Sequence, residues 1–425
     1  MRVTEASDSV CWFMMFLEVV LFYVWPVVVL FILETSLIAI MYIVAVGISG
    51  VRHYFNIVAV IEETGTMRLI PGKSRSQTWL KQARLTKETN GDTENTETLT
   101  FLPEWYYPPQ LGNTQYPSCV FGKPPSPALE NFTLADMTFL SSLSYRSSSV
   151  VSSQLDGWFS PSGQNVTDEA DFVDEWKLQE GGQVSKTVVF RLFRFPTGND
   201  AIGIVSVRGT VSSMDLVVDN QLWQAAMLAQ LVRLALPFGE IFTPILPTLV
   251  YSINQMQSQA VQRVSYYKAI ARFVNALQEN ATFTGIGLTG HSLGGGIAII
   301  SAAQTGVGAV AISGLNAMLS RLSFETKLTV EGLNSKTFNV MPNRDIIPMF
   351  DDKAQNFQNI DCPSDSRNPL SCHSVVRTLC ELLYTCGTGN RHALCECVTS
   401  FNFPMPLTDS DQDFDSMCAN ATPLT

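Results

Sequence analysis

Residues 283–300 read FTGIGLTGHSLGGGIAII, and this stretch constrains the fold more tightly than any other. A β-like run leads into Ser292, and a small-residue, helix-like run leaves it. Glycine lacks a Cβ, so it is selected where a backbone turns sharply or another chain comes close. G-H-S-L-G fits the pattern G-x-S-x-G. Small residues two before and two after the serine let a strand turn abruptly into a helix and expose the hydroxyl. The spacing predicts strand, elbow and helix, with Ser292 at the carboxyl end of the strand. The plainer alternative is a glycine-rich turn with no chemistry, and the rest of the chain has to decide between them.

The surrounding pattern alternates. SKTVVFRLFRF and AIGIVSVRGT are β-rich runs joined by the turn signal PTGND. Residues 254–280 carry Val261, Val264, Tyr267, Ile270, Phe273, Val274 and Leu277 at helical spacing. After the elbow come strand-like segments at VGAVAIS and SKTFNVM. Alternating strand and helix argue for an α/β fold, a largely parallel sheet covered by helices. Functional groups in such sheets collect at the carboxyl ends of strands.

The ends of the chain are of another kind. Residues 10–51 hold two charges, Glu18 and Glu34, and no basic residue. A bilayer core accommodates about 20 apolar residues as one helix, so this stretch is too long for a single span. Broken at Glu34-Thr35-Ser36, it predicts an N-terminal transmembrane helical hairpin within residues 1–52; the alternatives are an uncleaved signal peptide or a single span with a buried segment. A polar, Pro-rich extension follows over 53–133, then a globular domain over 134–400 that opens on the helix-like LADMTFLSSLSYRS, and an acidic tail over 401–425. The net charge of −11 excludes nucleic acid as a natural partner. Of nine cysteines, seven lie between Cys362 and Cys418. Setting Cys11 aside leaves an even set of eight, compatible with four disulfides. The rival, a zinc site at Cys395, Cys397 and His392, lacks the paired spacing of structural zinc sites, and neither metal nor cofactor is expected.

A serine hydroxyl needs a base, usually a histidine oriented by a carboxylate. His53 abuts the apolar segment, and His291 neighbours the serine but should point away from it. His373 and His392 lie downstream, where the order serine, acid, histidine requires the base. His373, between a cysteine and an apolar helix-like run, is the preferred candidate because a rigid setting suits a base. Asp345 follows the strand SKTFNVM at its carboxyl end and is the candidate acid, with Asp351, Asp352, Asp361 and Asp365 read as loop residues.

At these residues the chain resembles the class 3, fungal-type lipases of the α/β-hydrolase superfamily. GIVSVRGTVSSMDLVVD resembles the family's oxyanion segment, GLTGHSLGGG its elbow, NVMPNRDIIP its acid segment, and CHS the site of its histidine. The resemblance implies Ser292 as nucleophile, Asp345 as orienting acid and His373 as base. It also implies an oxyanion hole from Thr210 and the backbone N–H of Leu293, with Asp219 holding the threonine hydroxyl. The implied activity is hydrolysis of acylglycerol or phospholipid esters at a membrane, with lipid substrate and bilayer as partners; no oligomeric state follows. The 28 residues from Asp345 to His373 are a short gap for this family.

Residues 222–251 hold two charges, Arg233 and Glu240. They read either as a mobile lid or membrane-docking surface, or as a buried helix with a proline-broken extension. Two other functions compete: an inactive lipase-like membrane receptor or scaffold, and another serine hydrolase such as a thioesterase. Fluorophosphonate labelling and a substrate panel separate them. For topology the signals conflict. Seven basic residues from Arg52 to Lys87 favour a cytosolic domain, whereas the cysteines favour the lumen or exterior, as do sequons at Asn131, Asn165, Asn280 and Asn420. The cysteines are given more weight.

Overall fold

Strand side chains alternate between the two faces of a sheet, and here that alternation sorts the core into two layers. The computed structural model describes residues 69–70, 116, 119, 133–159, 171–179, 187–197, 200–209, 223, 225–230, 233, 241, 243–261, 266–279, 283–362, 371–386, 391, 393–405, 416 and 418, some of them by backbone alone. The apolar stretch before residue 52, and the hairpin expected there, lie outside the described residues. Among those described, no helix is long and apolar enough to cross a membrane.

The elements are β1 (Leu69–Ile70), α1 (Leu134–Leu143), α2 (Ser148–Phe159), β2 (Asp171–Gln179), β3 (Thr187–Thr197), β4 (Asp200–Val207), α3 (Leu246–Val261), α4 (Tyr266–Gln278), β5 (Phe283–His291), α5 (Leu293–Thr305), β6 (Gly308–Ile312), α6 (Val330–Lys336), β7 (Thr337–Pro342), β8 (Phe357–Ile360), α7 (Val375–Cys386), β9 (Ala393–Leu394) and α8 (Cys395–Thr399). Strands β2 to β8 form one sheet in sequential order, while β1 pairs with β9. β2, β3 and β4 are antiparallel, and the turn signal between the two β-rich runs closes a hairpin at Thr197 opposite Asp200. From β4 to β8 every pairing is parallel. The α/β architecture with a largely parallel sheet is therefore present. The single helical pattern expected over 254–280 corresponds to two helices, α3 and α4, and strands β2 and β8 had not been anticipated.

One face carries Phe193, Phe195, Ile202, Ile204, Val310, Ile312, Phe338 and Val340, packed under α1, α2 and α7. The other carries Phe190, Leu192, Val205, Val207, Leu288, Ala309 and Ala311 under α4 and α5. Helix α1 is buried on every side, so its polar groups must be satisfied internally. Thr133 and Asp136 form a reciprocal cap, and Asp136 Oδ1 also accepts from Trp158 Nε1 (2.7 Å) and Arg391 Nε (3.0 Å). Removing one partner of such a buried ion pair typically costs about 3–5 kcal/mol, because the other charge is stranded.

Four disulfides lie on the α7 side: Cys119–Cys386, Cys362–Cys372, Cys380–Cys397 and Cys395–Cys418. All eight cysteines other than Cys11 are paired, as their number suggested. The zinc alternative at Cys395 and Cys397 is excluded because both sulfurs are in disulfides. Tyr116 and Cys119, from the Pro-rich extension, and Cys418, from the acidic tail, are buried with this layer. Tyr116 Oη donates to Glu381 Oε1 (2.6 Å) and accepts from the Asp361 N–H (2.6 Å). Burial and the Glu381 carboxylate together push the phenol pKa well above its ordinary value.

Candidate active site

The sharp turn expected at Ser292 is present, and its backbone explains the glycines around it. Ser292 has φ 59° and ψ −125°, in the left-handed half of the map, where a side chain is strained. Its N–H donates to the Ile312 carbonyl on neighbouring β6 (3.0 Å), and its carbonyl accepts from Gly296 N (3.1 Å). These bonds hold the strain in place. A Cβ at Gly290 would lie 2.5 Å from the Gly294 backbone, and one at Gly294 would collide with the Val207 carbonyl. The two glycines thus let α5 start directly against the ends of β4 and β5.

Three of the expected residues come together. His373 Nε2 lies 2.8 Å from Ser292 Oγ. His373 Nδ1 lies 2.9 Å from Asp345 Oδ2 and 3.1 Å from Oδ1. The Asp345 side chain is fully buried and that of His373 is one-tenth exposed. An ionised carboxylate only accepts, so Nδ1 carries the proton and Nε2 presents its lone pair to the serine hydroxyl. Asp345 Oδ1 also accepts from Ile347 N (3.0 Å), which fixes the carboxylate's rotation. The short Asp345–His373 gap is bridged: Cys362, tied to Cys372, brings the residue preceding His373 back towards the acid segment. Arg344, in the left-handed conformation at φ 69°, donates from its guanidinium to the Cys362 carbonyl (2.5 Å).

Leu293 is the first residue of α5, where a helix leaves its amide donors without internal partners. Thr210 and Asp219, expected to complete and support an oxyanion hole, lie outside the described residues, as does His392. The other acidic candidates serve the loops. Asp351 accepts from Leu319 N, Ser320 N and Ser320 Oγ, and Asp352 accepts from Gln230 and Arg233. In the segment expected as lid or helix, Trp223, Ala225, Ala226 and Ala229 are buried whereas Ile241 and Ile245 are exposed. The buried-helix alternative therefore holds for its first part.

His291 was set aside as pointing away from the serine. It is fully buried, and its Nε2 lies 2.6 Å from the His373 carbonyl oxygen. Its contacts are remote in sequence, so no local pattern marks it.

A serine at a strand-to-helix elbow on a mostly parallel sheet, within reach of an imidazole that abuts a carboxylate, defines a protein of the α/β-hydrolase class. Residues 204–311, from β4 to β6, match the family model described as lipase (class 3). Similar solved structures include M37 lipase, at 16% identity over 51% of this chain and 70% of that one, with a TM-score of 0.29. The lipase from Rhizopus microsporus var. chinensis is 12% identical over 70% of this chain and 99% of its own, also with a TM-score of 0.29. No curated protein matches the sequence.

Proposed function

We propose that the chain is a membrane-associated serine esterase that cleaves acylglycerols or phospholipids through an acyl-enzyme. Ser292 Oγ attacks the ester carbonyl while His373 Nε2 takes its proton, and Asp345 stabilises the imidazolium that forms. The Leu293 N–H and Thr210, held by Asp219, receive the negative charge on the carbonyl oxygen. Such a preorganised donor is worth roughly 3–4 kcal/mol in the transition state. His373 then protonates the departing alcohol, and water, activated by the same imidazole, releases the fatty acid.

The observation that carries this reading is the continuous hydrogen-bond line from Ser292 Oγ through His373 to Asp345. An acyl-chain substrate is supported by the individually exposed apolar side chains Ile241, Ile245 and Met349; Met349 lies four residues beyond Asp345. Membrane attachment rests on the apolar residues 10–51. A luminal or extracellular domain is favoured by four disulfides, since such bonds persist in oxidising compartments.

The test is Ser292→Ala in the full-length protein. Turnover of long-chain diacylglycerol, triacylglycerol and phospholipid should fall by roughly 10⁴- to 10⁶-fold and fluorophosphonate labelling should vanish, with the melting temperature retained. Undiminished hydrolysis by the purified variant overturns the assignment of the nucleophile. Turnover of thioesters but not oxygen esters by the wild type moves the reading to a thioesterase.

A further inference from the structure

The residue before the nucleophile makes contacts that the hydrolytic mechanism alone does not require. His291 lies at the end of β5 with its ring fully buried. Its Nε2 is 2.6 Å from the main-chain oxygen of His373, and its Nδ1 is 3.0 Å from Tyr145 Oη. A carbonyl oxygen can only accept, so Nε2 carries a proton and donates to it. In the neutral ring Nδ1 is then an acceptor, which the Tyr145 hydroxyl satisfies by donating. Tyr145 comes from the turn after α1. It reaches the elbow because Gly209 has no side chain there: a Cβ at Gly209 would strike Tyr145 Oη and lie 2.5 Å from the His291 carbonyl.

We propose that His291 is a positioning residue for the base, with Tyr145 fixing its tautomer, an inference that rests on His373 being the base. The two imidazoles lie 4.6 Å apart between centroids, and a short ring of contacts joins them. Ser292 Oγ meets His373 Nε2, the His373 carbonyl meets His291 Nε2, and His291 is bonded to Ser292 through the chain. Asp345 governs the orientation of the His373 ring, whereas His291 governs where its backbone stands relative to the serine. The link to the elbow therefore sets the distance over which the proton moves. Reaction rates depend steeply on that distance: a displacement of about 1 Å can cost on the order of 100-fold.

The test compares three variants of the full-length protein on a soluble short-chain ester. His291→Phe keeps ring volume but has no donor. His291→Gln restores an N–H near the position of Nε2. Tyr145→Phe removes only the donor to Nδ1. Expected is a fall in kcat of about 10- to 100-fold for His291→Phe with KM nearly constant and fluorophosphonate labelling slowed in parallel. His291→Gln should recover most of that loss, and Tyr145→Phe should lose severalfold. Equal kcat in the Phe and Gln variants at matched melting temperatures overturns the proposal, as does a loss confined to KM. If His291→Phe does not fold, the remaining pair decides: the proposal stands if Tyr145→Phe lowers kcat at unchanged KM and falls if it does not. Failure of the catalytic reading itself is recognisable separately, because the wild type would then not label at Ser292.

Discussion

Ser292 and His373 meet at 2.8 Å, yet the two sides of that contact are built differently. Ser292 is held by the sheet: parallel pairing on both sides of β5, a bond from its N–H to β6, and a helix that two glycines allow to start against the strands. No disulfide lies in that region. His373 stands on a loop outside the sheet. It is held by the Cys362–Cys372 disulfide beside it, the Asp345 carboxylate, and the His291 ring on its carbonyl. A nucleophile on a sheet inherits its geometry from hydrogen-bond register. A base on a loop must be fastened by individual bonds, each of which can be removed singly.

The strongest way to break this comparison is to remove the base. His373→Ala should abolish hydrolysis and fluorophosphonate labelling together, a loss of roughly 10⁴-fold or more, since a serine without its base is inert. His392→Ala should have a mild effect. The reverse outcome would move the base to His392 and leave the loop around His373 without a catalytic role.

A smaller effect is expected from loosening the loop without touching the imidazole. Cys362→Ser combined with Cys372→Ser should lower kcat by about 10- to 100-fold, the scale of a modest misplacement. Fluorophosphonate labelling should slow to the same degree, while the far-UV circular dichroism of the sheet is unchanged. Mild reductant should reproduce this in the wild type and leave the double variant much less affected. Loss of the sheet signal together with activity would show that the two sides are not separable.

The smallest effect comes from a loop that contributes to neither side of the contact. Burial raises the Asp351 pKa from 3.8 to about 7, outweighing hydrogen bonds from Ser320 and Leu319 that act the other way. Between those values the folded chain keeps a proton that the unfolded chain has released. Stability therefore falls as pH rises through that window and levels off above it. Asp351→Asn should be less stable at all pH values, because the amide nitrogen that replaces one carboxylate oxygen cannot accept from the Ser320 or Leu319 donors, but its melting temperature should lack this component of the decline. A parallel pair of melting curves against pH would contradict the shift.

The legible part of this molecule was the part with a period. Strands β3 to β7 and the elbow could be read because alternation and closely packed glycines are local properties of the chain. Asp345 and His373 were reachable through chain order and family resemblance. Strand β8, four residues reading FQNI, has too little apolar content to announce itself. Strand β2, with charged Asp171, Asp174, Glu175 and Lys177, reads as polar because among the described residues it is an edge strand, paired on one side only. The disulfide pairing was closed to inspection, since eight cysteines allow 105 connectivities. His291 and Tyr145 were missed for a related reason. They are 82 and 146 residues from the groups that define them, and only the folded chain brings those together.

The Cys119–Cys386 bond spans 267 positions and encloses all the strands of the main sheet. For a chain pulled by its two ends, that bond bypasses the main sheet. The tension runs from the residues before Cys119 across one sulfur–sulfur bond to those after Cys386, and the strands between carry none of it. Stretched out, the enclosed segment would measure roughly 900 Å, a length released only once the bond is reduced. While that bond is intact, the chain can thus be tugged from either terminus without the Ser292–His373 contact feeling the load.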